Sequence, residues 1–192
     1  MLYTFTAFQK RTERRQSPAG VGILIMLLLS FFAGAAFGLQ AEEYQIKSAY
    51  LEKITRFVQW PEKAEKSFFI IGIAGVSPFN GILERDYRNR QIKGKPVRVV
   101  NIASAEAIKD CDLLFISASA QERLDKYIRA AERFHVLTVG DTPGLAEKGV
   151  HINFYTERQK VRFAINPDAM KRAGLNAGSL LLDYAKIIKP DS

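Results

Sequence analysis

One cysteine, Cys111, and two histidines, His135 and His151, are all that this 192-residue chain offers to thiol or imidazole chemistry. A single cysteine excludes an intrachain disulfide and any cysteine-rich metal site. The histidines each open an apolar run and lack the spacing of paired metal ligands. Both read as structural or rim residues, and no metal is expected. Phosphate-binding loops are missing too: G-x-x-x-x-G-K-[ST] occurs nowhere, and Gly72-Ile-Ala-Gly75-Val-Ser77 lacks the third glycine of a dinucleotide fingerprint. Nor is there a G-x-S-x-G elbow to carry a serine nucleophile.

What is present is the composition of an ordinary folded domain, 47% apolar and 25% charged with seven prolines. At this length one domain with a substantial core is expected. The net charge of +8 invites a nucleic-acid or membrane reading. However, Lys10, Arg11, Arg14 and Arg15 stand against Glu13 alone in residues 1–41, leaving +5 spread over the rest with both signs interspersed. That is not the basic stripe of a nucleic-acid binder.

The first forty residues read as an address. A basic flank is followed by an apolar run from Val21 to Phe32, then by the small residues Ala33 to Ala36. This is the layout of a secretory signal peptide, with Ala36-Phe37-Gly38 offering cleavage after Gly38 and a second option after Ala41. The other reading is a retained anchor, since Val21 to Leu39 carries no charge and approaches the ~20 residues that span a bilayer. Both place residues 42–192 outside the cytoplasm, because the Lys/Arg cluster stays inside. In a Gram-negative host that compartment is the periplasm. It supplies no ATP or NAD, so no cofactor is expected. Cys111 precedes the apolar stretch Leu113 to Ile116 and reads as a buried, inert thiol.

The mature chain alternates helix and strand. Tyr44 to Trp60 reads as a helix with Ile46, Ala49, Tyr50, Ile54, Phe57 and Val58 on one face and Lys47, Glu52 and Lys53 off it. Trp60-Pro61 ends that helix as a staple onto the core. Phe68 to Ala74 is the first buried strand. Ser77-Pro78 would cap a helix over 78–88. Val97 to Ile102, Leu113 to Ile116 and Val136 to Val139 are further strands, with Ser104 capping a short helix to Asp110 and Ser119-Ala-Gln-Glu122 a capping box between the last two. Asp141-Thr142-Pro143 would open a short helix ended by Gly149. Val150 to Tyr155 and Val161 to Ile165 suggest a hairpin. Asn166-Pro167-Asp168 caps a helical region broken by Gly174 and Gly178, and a closing helix holds Leu180, Leu181, Tyr184 and Ile188. The fold expected is α/β: a three-layer α/β/α sandwich with a mostly parallel sheet and a C-terminal β-hairpin.

Such sheets bind ligands at the carboxyl ends of their strands. Those positions hold Gly75-Val76-Ser77, Ser117-Ala118-Ser119 and Gly140-Asp141-Thr142. A phosphoacceptor domain would need acidic residues after the first strand and an aspartate ending the third, where this chain has glycine and serine. Ser117, Ser119 and Asp141 are therefore candidate ligand or partner contacts, Asp141 having turn-capping as its plainer role. Arg158 and Arg162, around the hairpin, would form a solvated face or hold a small anion or an acidic partner surface. No nucleophile, base and oxyanion set assembles. The residues describe an exported binding domain, not an enzyme.

Several segments in order carry a resemblance: Ile46-Lys-Ser-Ala-Tyr-Leu with Phe57-Val-Gln-Trp-Pro61, Ser77-Pro-Phe79, Asp112-Leu-Leu-Phe-Ile-Ser117, Val136-Leu-Thr-Val-Gly-Asp141, Ile152-Asn-Phe154, Val161-Arg-Phe-Ala-Ile-Asn166, and Ala173-Gly-Leu with Ser179-Leu-Leu. Together, from Gln45 to Ile188, they resemble the YfiR family of periplasmic proteins. The resemblance implies regulation: repression of an inner-membrane diguanylate cyclase through its periplasmic domain, lower cyclic di-GMP and less biofilm. It also implies an outer-membrane lipoprotein that sequesters the repressor, and a homodimer. Related domains accompany sensor kinases as well. Family members with paired cysteines form disulfides; this chain has only Cys111, so internal-disulfide redox sensing does not carry over, and an exposed Cys111 would instead make a covalent dimer. The alternative function is a periplasmic small-ligand binding module using the strand-end crevice.

Overall fold

Four apolar runs bounded by turn residues become the centre of an eight-stranded sheet. The computed structural model describes residues 40–62 and 65–189. The expected export signal lies outside the described residues but for its last two positions. In chain order come helix α1 over 40–57, β1 (Val58–Gln59), β2 (Phe69–Ala74), α2 (Ile82–Tyr87), β3 (Gln91–Ile92), β4 (Lys95–Ile102), a 3-10 turn (Glu106–Asp110), β5 (Leu113–Ile116) and a second 3-10 turn (Ala118–Arg123). There follow α3 (Leu124–Phe134), β6 (Leu137–Gly140), β7 (Ile152–Glu157), β8 (Lys160–Ile165), α4 (Pro167–Arg172), β9 (Asn176–Ala177), α5 (Ser179–Asp183) and β10 (Lys186–Ile187).

The sheet runs β10-β8-β7-β6-β5-β2-β4-β3. Its middle, β4-β2-β5-β6-β7, is parallel throughout. The β3–β4 and β7–β8 hairpins add antiparallel strands, and β10 closes the far edge parallel to β8. β5 and β6 are buried at every position, as parallel strands covered on both faces must be. On one face, Leu51 and Ile54 of α1, Leu83 and Tyr87 of α2 and Met170 of α4 pack on Ile71, Ile73, Phe115 and Val139. On the other, Leu124, Tyr127 and Ala131 of α3 and Ile108 pack on Ala74, Leu114 and Ile116. The fold is the expected α/β/α sandwich with its C-terminal hairpin.

Several local expectations are corrected. Helix α1 stops at 57, because Val58–Gln59 extends to pair with Asn176–Ala177 of β9. Its buried face includes Lys47, Ser48 and Thr55, while Ile46 and Phe57 are exposed. Ser77 makes a local turn, its Oγ accepting from the Phe79 N–H at 3.3 Å, and α2 begins only at Ile82, after Gly81 in the left-handed region. Ser119 caps no helix; its Oγ accepts from the Val76 N–H instead. Residues 142–149 form turns and not a helix. Asn153 explains that: its Oδ1 accepts from the N–H groups of Leu145 and Ala146 at 3.0 and 3.4 Å, supplying from β7 the partner that a helix would supply from within. The closing helix is short because Lys186–Ile187 pairs with Ala164–Ile165. Asn166 does cap α4, accepting from the Ala169 N–H at 2.9 Å.

Candidate functional site

The chain leaves β2 toward α2 on one face of the sheet and leaves β5 toward α3 on the other. The gap between those carboxyl ends is a topological switch point, where open α/β sheets usually take a ligand. Here it is filled from within. Ser117 Oγ donates to the Ala74 carbonyl at 2.8 Å, and the Ser117 and Ser119 hydroxyl oxygens lie 2.9 Å apart. Ser119 Oγ also accepts from the Val76 N–H at 2.8 Å. Gly75 crosses this pair at φ +85°, and a Cβ there would stand 2.4 Å from both oxygens. Glycine is required on both counts, conformation and space.

Asp141, following β6, is bound to the first turns of α1. Its Oδ2 accepts from the Tyr44 hydroxyl and from Lys47 Nζ, each at 2.7 Å. Lys47 Nζ also pairs with Glu43 at 2.6 Å and sits 4.2 Å from the Tyr44 ring centroid. The ring meets Phe79 edge-on at 5.1 Å, and Phe79 meets Phe115 at 4.8 Å. Burial first, then the hydrogen bond to Asp141, pushes the Tyr44 phenol above its ordinary value, so it stays a neutral donor. A carboxylate so occupied positions a helix.

The structure brings Ser117 and Ser119 together and ties Asp141 to α1. No hydrogen bond links Asp141 to either serine among the described residues. Arg158 and Arg162 stand apart on the β7–β8 hairpin, exposed and without an ion pair among the described residues. Arg158 (φ 48°) and Gln159 (φ 61°) form its two-residue turn. His151 is buried, its Nδ1 accepting from the Thr138 N–H and its own N–H donating to Thr138 Oγ1, both at 3.0 Å. Burial, reinforced by the nearby Arg172 charge, pushes its pKa down to about 3. It is a structural histidine, neutral at any physiological pH.

Two surface features did not emerge from the sequence reading. The first is a largely apolar groove of about 340 Å³ between α1 and α5, whose lining includes Tyr50, Phe57, Phe163, Leu180 and Tyr184 together with one charged residue, Lys53. Tyr184 is 74% exposed, Leu180 46%, Ile46 40% and Phe57 38%, so α1 and the α5 end present an apolar stripe left open by the described residues. The signal is in the sequence, since Ile46, Tyr50 and Phe57 share a helix face, but periodicity alone does not distinguish an open apolar face from a core one. The second is a lysine-lined cavity at the opposite sheet edge, beside Trp60.

The fold and the closed crevice together define the class: a doubly wound α/β/α domain whose strand-end ligand position is taken up by its own serines and N-terminal helix. The chain belongs to the YfiR/HmsC-like family, which matches residues 44–186, a family of periplasmic regulators. Similar solved structures include a conserved domain protein from Vibrio cholerae O1 biovar eltor, with TM-score 0.56 and 12% identity over 76% of this chain and 60% of that one. Another is an ABC domain in complex with L-Trp from Streptococcus pneumonia, with TM-score 0.51 and 10% identity over 77% of this chain and 60% of that one. These likenesses show the fold, and the chain spans about three-fifths of the length of each. No curated protein sequence matches the chain.

Proposed function

We propose that this protein is a periplasmic repressor that holds an inner-membrane diguanylate cyclase inactive through the enzyme's periplasmic domain, lowering cyclic di-GMP and biofilm formation. Membership of the YfiR/HmsC-like family over residues 44–186 carries this reading. The geometry supports it. The strand-end crevice is occupied by Tyr44, Lys47 and the serine pair, which favours a protein partner over a small ligand at Ser117, Ser119 and Asp141. The uncovered stripe of Ile46, Phe57, Leu180 and Tyr184 is the surface that such a partner would bury. Repression follows if the protein binds the inactive conformer more tightly, about 1.4 kcal/mol for each tenfold shift in population.

A sensor kinase with a periplasmic domain, an outer-membrane lipoprotein that sequesters the repressor and a homodimer belong to the same proposal. The test is an affinity pulldown of the exported protein, expressed with its native leader, from solubilised envelope membranes, paired with a gene deletion. Recovery of a cyclase and a rise in cyclic di-GMP on deletion are expected. Unchanged cyclic di-GMP under every growth condition would overturn the cyclase reading.

A further inference from the structure

At the amino-terminal edge of the sheet, opposite Ser117 and Asp141, a cavity of about 400 Å³ opens where β2 and β5 begin. That is the size of a pocket for a small metabolite. Trp60 and Phe69 make its apolar wall, with ring centroids 6.0 Å apart in edge-on contact. Asp112 is tied down at its base. Its Oδ2 accepts from the Ile70 N–H at 2.8 Å, its Oδ1 faces Lys66 Nζ at 3.3 Å, and its carbonyl accepts from the Trp60 indole at 3.3 Å.

Three lysines surround this wall, and two are held in place by main-chain oxygens. Lys66 Nζ donates to the Asp110 carbonyl at 2.8 Å. Lys93 Nζ donates to the Val58 carbonyl at 3.0 Å and lies 5.6 Å from the Trp60 ring centroid. Lys93 sits at φ 54° in the two-residue turn between β3 and β4, a position that ordinarily takes asparagine, aspartate or glycine. The ammonium of Lys95, the next lining lysine, has no hydrogen bond or ion pair among the described residues, so its three N–H donors are available. Asp112 offsets one of the three ammonium charges, leaving two positive charges over an aromatic wall.

We propose that this lysine cavity beside Trp60 is a binding site for a small organic dianion, a dicarboxylate or a phosphate monoester, with Lys95 and Lys93 on the anionic group and Trp60 and Phe69 against the ligand's apolar body. Of the two ammonium groups assigned to the anion, Lys93 is held beforehand by the Val58 and Arg56 carbonyls, which removes part of the ordering cost of binding, while Lys95 is ordered by the ligand itself. The site goes beyond the repressor reading and does not depend on it.

Trp60 is the only tryptophan in the chain, so its emission reports on this cavity alone. The exported protein would be titrated with phenyl phosphate, with succinate, and with phenol at matched ionic strength, following Trp60 emission and heat by isothermal titration. A saturable response to phenyl phosphate or succinate but not to phenol is expected, and which dianion responds separates phosphate from dicarboxylate recognition. Lys95→Gln, which disturbs no hydrogen bond, should weaken Kd at least tenfold. Lys126→Gln, on α3 outside the cavity, should leave it unchanged. No saturable response to either dianion by either readout, or an unaltered Kd in Lys95→Gln, would overturn the proposal.

Discussion

Lys47 Nζ and Asp141 Oδ2 meet at 2.7 Å across 94 positions of sequence, and their side chains are 4% and 10% exposed. The pair joins the first turns of α1 to the end of β6. Removing one member of a nearly buried pair strands the other charge, whereas replacing both with apolar groups does not. Asp141→Asn is expected to lower unfolding stability by about 3 kcal/mol, with Glu43 left as the remaining partner of Lys47. The double variant Lys47→Met/Asp141→Leu should lose less than Asp141→Asn alone. Urea unfolding of Lys47→Met, of Asp141→Leu and of the double closes the cycle, and strictly additive losses would mean that the pair is not coupled.

His151 gives stability a pH dependence of definite sign. Its folded pKa, about 3, lies below the usual imidazole value of 6.5. Between these limits the unfolded chain binds a proton that the folded chain refuses. The stabilisation is complete above pH 6.5 and is lost as pH falls below it, at about 1.4 kcal/mol per pH unit. His151→Asn keeps an acceptor for the Thr138 N–H and removes the titrating ring. Urea midpoints between pH 7.5 and 4.5 should fall more steeply for the parent than for His151→Asn, and parallel curves would refute the assignment.

Cys111 is buried, and its Sγ lies 2.7 Å from where a Cβ on Gly72 would stand. Such a thiol is shielded from reagents and from a second chain. It should react with a bulky disulfide reagent only at the rate of unfolding, and a non-reducing gel of oxidised periplasmic extract should show monomer. A covalent dimer in that gel would contradict the burial.

What the sequence made legible was local, and what it hid was long-range. β5, the Asn166 cap and the β7–β8 hairpin follow from runs of a few residues and were readable. The buried face of α1 was not. Lys47 and Ser48 go inside because Asp141 and Asp86 await them, the latter accepting from Ser48 Oγ at 2.8 Å, and those partners are 94 and 38 residues away. Val58–Gln59 leaves the helix for the same kind of reason, a strand partner near the other end of the chain. Ser117, Ser119 and Asp141 were placed correctly at strand ends, but whether those ends stay open depends on α1, which strand patterns do not describe. The Trp60 cavity was hidden because Lys93 and Lys95 belong to a β3–β4 hairpin too short to show as alternation.

Gly75 tests how tightly the switch point is closed. At φ +85° a Cβ is strained, and Gly75→Ala would also drive that carbon into the Ser117 and Ser119 oxygens. The hydroxyl pair would have to separate, leaving buried Ser117 short of a partner. A loss of about 2–3 kcal/mol is expected from strain and lost hydrogen bonding combined. Gly75→Ala in a Ser119→Ala background should cost less, since one obstructing oxygen is gone. Equal costs in the two backgrounds would show that the backbone angle alone matters.

The exposed apolar stripe provides the sharpest separation of folding from function. Leu180 and Tyr184 are 46% and 74% exposed and line the groove against Phe57 of α1. Truncating side chains that the isolated protein leaves about half or more exposed changes its stability little, within about 0.5 kcal/mol. The same removal at a partner interface costs more, because an aromatic anchor there commonly contributes 2 kcal/mol or more to binding. Leu180→Ser and Tyr184→Ser should therefore leave the urea midpoint in place and release repression, seen as a rise in cyclic di-GMP toward the deletion level and loss of the partner from the pulldown. Arg158→Ala and Arg162→Ala, on the hairpin that contributes Phe163 to the groove but not themselves among its lining residues, provide the contrast. If the arginine variants release repression and the stripe variants do not, the contact lies on the β7–β8 hairpin, and the α1–α5 groove is excluded as the repressing surface.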